Sequence, residues 1–143
     1  MRHIDHITEA YLLLADRYDR VRQVVQPVLV KGQWIISLRN YVSALVYQAR
    51  TQIEQKLITS QFLQFEPKPD YLFWFDIDPR QAMERILSRQ QQTGEPLGKF
   101  ESHKYLADKR KKYQTVMHGI SHVAVNAALS IDQIHQQIIR TIF

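Results

Sequence analysis

The sequence predicts an α/β domain built on a parallel sheet flanked by helices. Three observations predict it. Apolar residues recur at helical spacing in separate stretches, short apolar runs rich in aromatic and β-branched residues lie between them, and the two kinds alternate along the chain. The 143 residues, 45% hydrophobic and 23% charged, suit one globular domain spanning 1–143.

Residues 8–31 read as a helix, with Tyr11, Leu14, Ala15, Tyr18, Val21, Val25, Val28 and Leu29 at helical spacing. Pro27 kinks or splits it, and Gly32 stops it. Trp34-Ile35-Ile36-Ser37-Leu38 reads as a short buried strand. A second helix covers roughly residues 41–57, while 58–66 carry mixed signals. Beyond Pro67 and Pro69, residues 71–77 form the clearest strand, apolar almost throughout, as a parallel strand covered on both faces requires. Asp78 caps and Pro79 opens a helix to about residue 92, burying Ala82, Met83, Ile86 and Leu87. Residues 93–100 are a loop carrying Gly94, Pro96 and Gly98. A helix at about 101–117 and a strand at His122-Val123-Ala124-Val125 follow. Ser130 and Gln133 form a capping box before a last helix that buries Ile131, Ile134, Ile138 and Ile142.

Composition removes several classes of function. With no cysteine, neither a disulfide framework nor a zinc–thiolate site is available. The first residues hold no apolar signal core and no apolar run is long enough for a membrane helix, so a cytoplasmic protein is expected. A net charge of +5 suits an anionic partner. A nucleotide fits better than a nucleic acid, which calls for a denser basic stripe with exposed aromatics. The densest run, Lys109-Arg110-Lys111-Lys112, reads as a solvated helix face. His118 and His122 are four apart, but no carboxylate completes a metal set beside them. His3 and His6 are weaker still, and no metal site is expected.

Several runs, in order, resemble the thymidylate kinase family. Leu12-Leu13-Leu14-Ala15-Asp16-Arg17 is similar to a family helix ending in Asp-Arg or Asn-Arg. The stretch from Val24 through Pro27 and Gly32 to Ile36 is similar to its passage from that helix into the next strand. Arg39-Asn40-Tyr41 through Ser43, Tyr47 and Gln48 resembles the segment from Asp-Arg-Tyr to Ser-Leu-Ala-Tyr-Gln. Pro69 to Pro79 matches its fourth strand and turn, Arg85, Arg89 and Lys99-Phe100-Glu101 its basic lid at about 89–101, and residues 130–138 its C-terminal helix.

The resemblance implies transfer of the ATP γ-phosphoryl group to dTMP. It implies that Arg39 holds the dTMP phosphate, suited by its planar bidentate fork. Leu13, Arg17, Ser43, Tyr47 and Gln48 would line the acceptor site, and Arg89 and Lys99 would close over ATP. From the residues alone, Arg17 is equally an exposed helix residue, Tyr47 a core residue, and Arg89 and Lys99 solvated loop charges. Arg39 follows a strand end, where α/β ligands bind.

The sequence departs from the family pattern in four places, one of them Leu13, which stands where the family has a stacking Phe. Its four glycines form no G-x-x-x-x-G-K-S/T phosphate loop. Gly94-Glu95-Pro96-Leu97-Gly98-Lys99-Phe100 is one spacer short, ends on Phe100 and follows a helix. Leu38 stands where the family carries the Asp that places Mg2+, and Asn40 where it has Tyr. The implied fold is therefore a partial P-loop-kinase-like sheet missing its first two strands, inactive when isolated. Its open strand edges lead us to expect a homodimer or docking to another chain. A non-catalytic nucleotide-binding or regulatory module is the alternative.

Overall fold

The computed structural model describes residues 4–143 and divides into two compact units, residues 1–68 and 69–143. Each is described by itself.

The first unit opens with α1 (His6–Arg20). The Asp5 carboxylate caps it, accepting hydrogen bonds from the Ile7 and Thr8 N–H groups and from the Thr8 hydroxyl. The helix is split just ahead of Pro27, as expected. A π-helical stretch, Val21–Val25, precedes α2 (Gln26–Val30), and the Gln26 N–H reaches back five residues to the Val21 carbonyl. The wider turn is the accommodation this helix makes just ahead of a proline, which brings no N–H and crowds the preceding turn. Gly32 ends the helix in the left-handed region, at φ 70°. The Gln33 N–H bonds to Val28 O and the Gly32 N–H to Leu29 O, the paired bonds of a Schellman motif.

Residues 34–38 form no strand, which corrects the sequence expectation. A strand is defined by its ladder, and among the described residues no ladder forms here. Ile36 and Leu38 are 92% and 88% exposed, so the segment is not buried either.

The expected helix at 41–57 is two helices. Asn40 caps α3 (Tyr41–Tyr47) by accepting from the Val42 N–H at 3.1 Å. Thr51 and Glu54 form a capping box that starts α4 (Gln52–Phe62) afresh, so each of α3 and α4 has its own N-terminus. The core comprises Val42, Ala44, Leu45 and Val46 of α3 with Ala49, Ile58 and Phe62, joined by Ala10 and Val21. Tyr18 meets Phe65 edge-on, with ring centroids 5.1 Å apart.

In the second unit β1 (Phe73–Asp76) pairs in parallel with β2 (Val123–Asn126), in the register Phe73 to Val123 and Asp76 to Asn126. The connection contains α5 (Pro79–Thr93), capped by Asp78 and stopped by left-handed Gly94, and α6 (His103–Met117), capped by Ser102. Ser130 and Gln133 form the expected capping box of α7 (Ile131–Ile142). This is a mixed α/β arrangement with a two-stranded parallel sheet among the described residues.

Burial here is shallower than the pattern predicts. Phe75 is half exposed, Leu87 is 40% exposed, and Ile131 is 85% exposed, because it is the first residue of α7. Ala82, Met83, Ile86, Ile134, Ile138 and Ile142 are half-buried. A helix buries its stripe only where another layer covers it, and two strands offer little width.

Thr51→Ala removes one half of the α4 capping box and leaves an orphan N–H at Glu54. Chemical denaturation is expected to show a loss of about 1 kcal/mol, without change in the helical circular-dichroism signal at zero denaturant.

Candidate functional site

Arg17 lies on the last turn of α1 and is held on one edge by Glu66. Its Nε and Nη2 both donate to Glu66 Oε1, at 3.1 and 2.6 Å. The side chains are 17% and 7% exposed, so this pair is largely withdrawn from water. Breaking such a pair from one side costs about 3–5 kcal/mol, because the remaining charge stays buried. Arg17 Nη2 also reaches Ser37 Oγ and the Arg39 carbonyl, each at 3.3 Å, and the Ser37 hydroxyl donates to the same carbonyl at 3.0 Å. The Glu66 charge adds to burial in raising the Tyr41 pKa, burial being the larger cause.

That carbonyl belongs to a strained residue. Arg39 has φ 67°, the one positive φ among described non-glycine residues. Such a conformation costs about 1–3 kcal/mol and persists where its surroundings over-determine it. Its guanidinium lies over the Tyr47 ring, 5.1 Å from the centroid. Leu13, 43% exposed, is four residues before Arg17 on α1 and therefore on the same helix face. Ser43 is half-buried one turn before Tyr47, and Gln48 is buried at the end of α3. The structure thus brings Arg17 and Arg39 together and sets Tyr47 behind Arg39. Asn40 is the α3 cap.

Arg89 and Lys99, expected to close over ATP, lie in the second unit. Arg89 Nη2 donates to Glu101 Oε1, and Glu101 Oε2 accepts the Gly98 N–H at 2.8 Å. These contacts hold the Glu101 carboxyl below its ordinary pKa, the Gly98 bond contributing most and the Arg89 bond next. The Lys99 ammonium lies 4.6 Å from the Phe100 ring centroid. A phosphate loop offers its N–H groups to an anionic ligand. Here the Gly98 N–H is taken by a carboxylate of its own loop, and the loop follows a helix.

Two residues escape the sequence reading. Arg110, placed there in a solvated run, grips Asp76 at the end of β1 with two 2.8 Å bonds and reaches Asp78 at 3.4 Å. Beside it is a cavity of about 130 Å³ whose lining includes Trp74, Pro79, Leu106 and Tyr113. Two aspartates at a strand end call for a cation, which was the available signal. Glu66 had a weaker one, a lone acid in a proline-flanked stretch.

The family profile for thymidylate kinase matches residues 1–138. The chain belongs to the thymidylate kinase family. A thymidylate kinase from Akkermansia muciniphila is 36% identical over 81 residues, covering 57% of this chain and 39% of that protein. A probable thymidylate kinase from Thermococcus kodakarensis is 30% identical over 141 residues, 97% of this chain and 66% of the relative. One from Archaeoglobus fulgidus is 28% identical over 134 residues, 94% and 65% respectively. The chain spans less than two thirds of the length of each of these relatives.

The thymidylate kinase family uses ATP and Mg2+. The carboxylates of the clusters described above are already paired. Leu38 offers only hydrocarbon, Glu66 is committed to Arg17, and Asp76 and Asp78 are committed to Arg110. No group of three or more His, Asp or Glu among the described residues is placed to hold a cation. No described helix is long and apolar enough to cross a membrane. His3 lies outside the described residues.

Because the Glu101 carboxyl is held low, its contribution to the order of the loop between α5 and α6 is full above the ordinary glutamate range and is lost as pH falls through its lowered value. Hydrogen exchange of the Gly98 amide, corrected for its intrinsic rate, is expected to lose protection on acidification. In Glu101→Ala it is expected to be unprotected at every pH.

Proposed function

We propose that residues 1–143 form the acceptor and lid portions of a dTMP kinase. The reaction breaks the bond between the ATP γ-phosphorus and its bridging oxygen, forms a bond to a dTMP phosphate oxygen, and yields ADP and dTDP. Catalysis of this transfer is mostly positioning and charge stabilisation. The observation that carries the reading is Arg39: a strained, guanidinium-bearing residue backed by Tyr47, with Arg17 on its carbonyl.

Arg39 holds the acceptor phosphate bidentately. Leu13 packs on the base, Ser43, Tyr47 and Gln48 line the nucleoside pocket, and Arg17 borders the acceptor phosphate region through its bond to the Arg39 carbonyl. Arg89 and Lys99 neutralise the transferring group, with Arg89 exchanging Glu101 for phosphate oxygens. The sequence holds no phosphate loop, so the donor cradle comes from outside these 143 residues, and residues 1–143 alone bind acceptor without turnover. Leu38 favours a second reading, a nucleotide-binding module that performs no chemistry.

Calorimetric titration of the chain is expected to show dTMP binding in the micromolar range and none of comparable strength for dGMP. Absence of binding to either would remove the acceptor reading, and formation of dTDP by residues 1–143 with ATP would remove the need for an outside cradle. The exposure of Trp34, Ile36 and Leu38 further supports packing against a second polypeptide. Light scattering is expected to report a dimer, and a monomer with a cooperative melt would count against it.

A further inference from the structure

We propose that Glu66 is the positioning residue of the acceptor site. Through Arg17 it fixes the backbone that presents Arg39 to the phosphate of a nucleoside monophosphate. The inference rests on the acceptor reading above and adds to it a residue that no motif marks.

Four observations carry it. Glu66 is buried, and both of its bonds run to one residue, Arg17. Arg17 spends its remaining Nη2 capacity on Ser37 Oγ and the Arg39 carbonyl, while its Nη1 has no partner among the described residues. Arg39 occupies a conformation a non-glycine residue does not hold unaided, and the bonds to its carbonyl from Arg17 and Ser37 are the restraints on it. The Arg39 guanidinium itself has no carboxylate partner among the described residues and lies over Tyr47.

The result is a division of labour between two cations. Arg17 is neutralised and immobilised, and serves as a strut. Arg39 is uncompensated and aimed, as a receptor for an anion should be. Glu66 decides which arginine does which. A guanidinium whose conformation is fixed before binding loses less on capturing phosphate. Glu66 Oε2 is buried with no hydrogen-bond partner. That arrangement is costly for a pair that merely staples the fold.

The test compares dTMP with thymidine, which differ by the phosphate alone, by calorimetric titration of the full chain. In Glu66→Met the preference for dTMP over thymidine is expected to fall at least about fivefold, with thymidine affinity unchanged. Glu66→Gln, which keeps an oxygen acceptor for Arg17, is expected to retain most of the preference. Arg39→Ala is expected to lose it, with no further loss when Glu66→Met is added. A purely structural role would weaken both ligands together and leave their ratio intact. If Glu66→Met does not fold, Arg17→Met/Glu66→Met removes both buried charges, and there too the preference is expected to be lost. A wild-type ratio in either folded variant overturns the role of Glu66 and leaves the acceptor reading standing. A wild-type chain with no preference for dTMP overturns the acceptor reading, and the role of Glu66 with it.

Discussion

The candidate acceptor cluster depends on the ion pair between Arg17 and Glu66. It joins the last turn of α1 to the chain after α4, across 49 residues of sequence. Packing alone would hold these helices, since Ala10, Val21, Ile58 and Phe62 are buried without it. What the pair adds is direction. A hydrophobic contact has no directional bond, whereas Arg17 is held through Nε and Nη2 at Glu66 and through Nη2 at Ser37 and the Arg39 carbonyl. Residues 34–38 have no ladder to define their path, so the Arg17 bonds to Ser37 and to the Arg39 carbonyl supply the local order that a sheet would otherwise impose.

The loop between α5 and α6 repeats the theme with weaker means. Arg89 and Glu101 are solvent-facing, and a pair of that kind contributes little by charge alone. Its effect comes through geometry, since Glu101 also takes the Gly98 N–H and closes the loop on itself. Arg110 holds α6 to the end of β1 through two aspartates, so the connection between the strands is tied at its tip and at its base.

Local chemistry was legible in the sequence. Asp78, Ser130 with Gln133, and Gly32 each announce a helix end by satisfying or freeing particular backbone groups, and each does so in the structure. Residues 71–77 and 122–125 read as strands because they are β-rich and short, and the strands formed are Phe73–Asp76 and Val123–Asn126. Residues 34–38 carry the same signature and form no strand, because pairing is a property of two segments and composition belongs to one. Arg17 and Arg39 stand in runs that resemble family motifs, but Glu66 does not. Its importance lies in a contact between residues far apart in sequence, and its neighbours Phe65, Pro67 and Lys68 say nothing of Arg17.

The π-helical stretch at Val21–Val25 has a consequence for how this chain can vary. A π turn holds one residue more than an α turn, so it advances the helix face by roughly a hundred degrees for everything downstream. Buried and half-buried positions run through the helix at helical spacing, at Ala10, Leu14, Arg17, Val21, Val25 and Val28. A one-residue deletion here would let the backbone relax to a regular α-helix and rotate α2 against the preceding turns, moving Gly32 and residues 34–38 with it. Most helices tolerate point substitutions and resist changes in length. This one carries a built-in insertion, and its register is the quantity that variation must preserve.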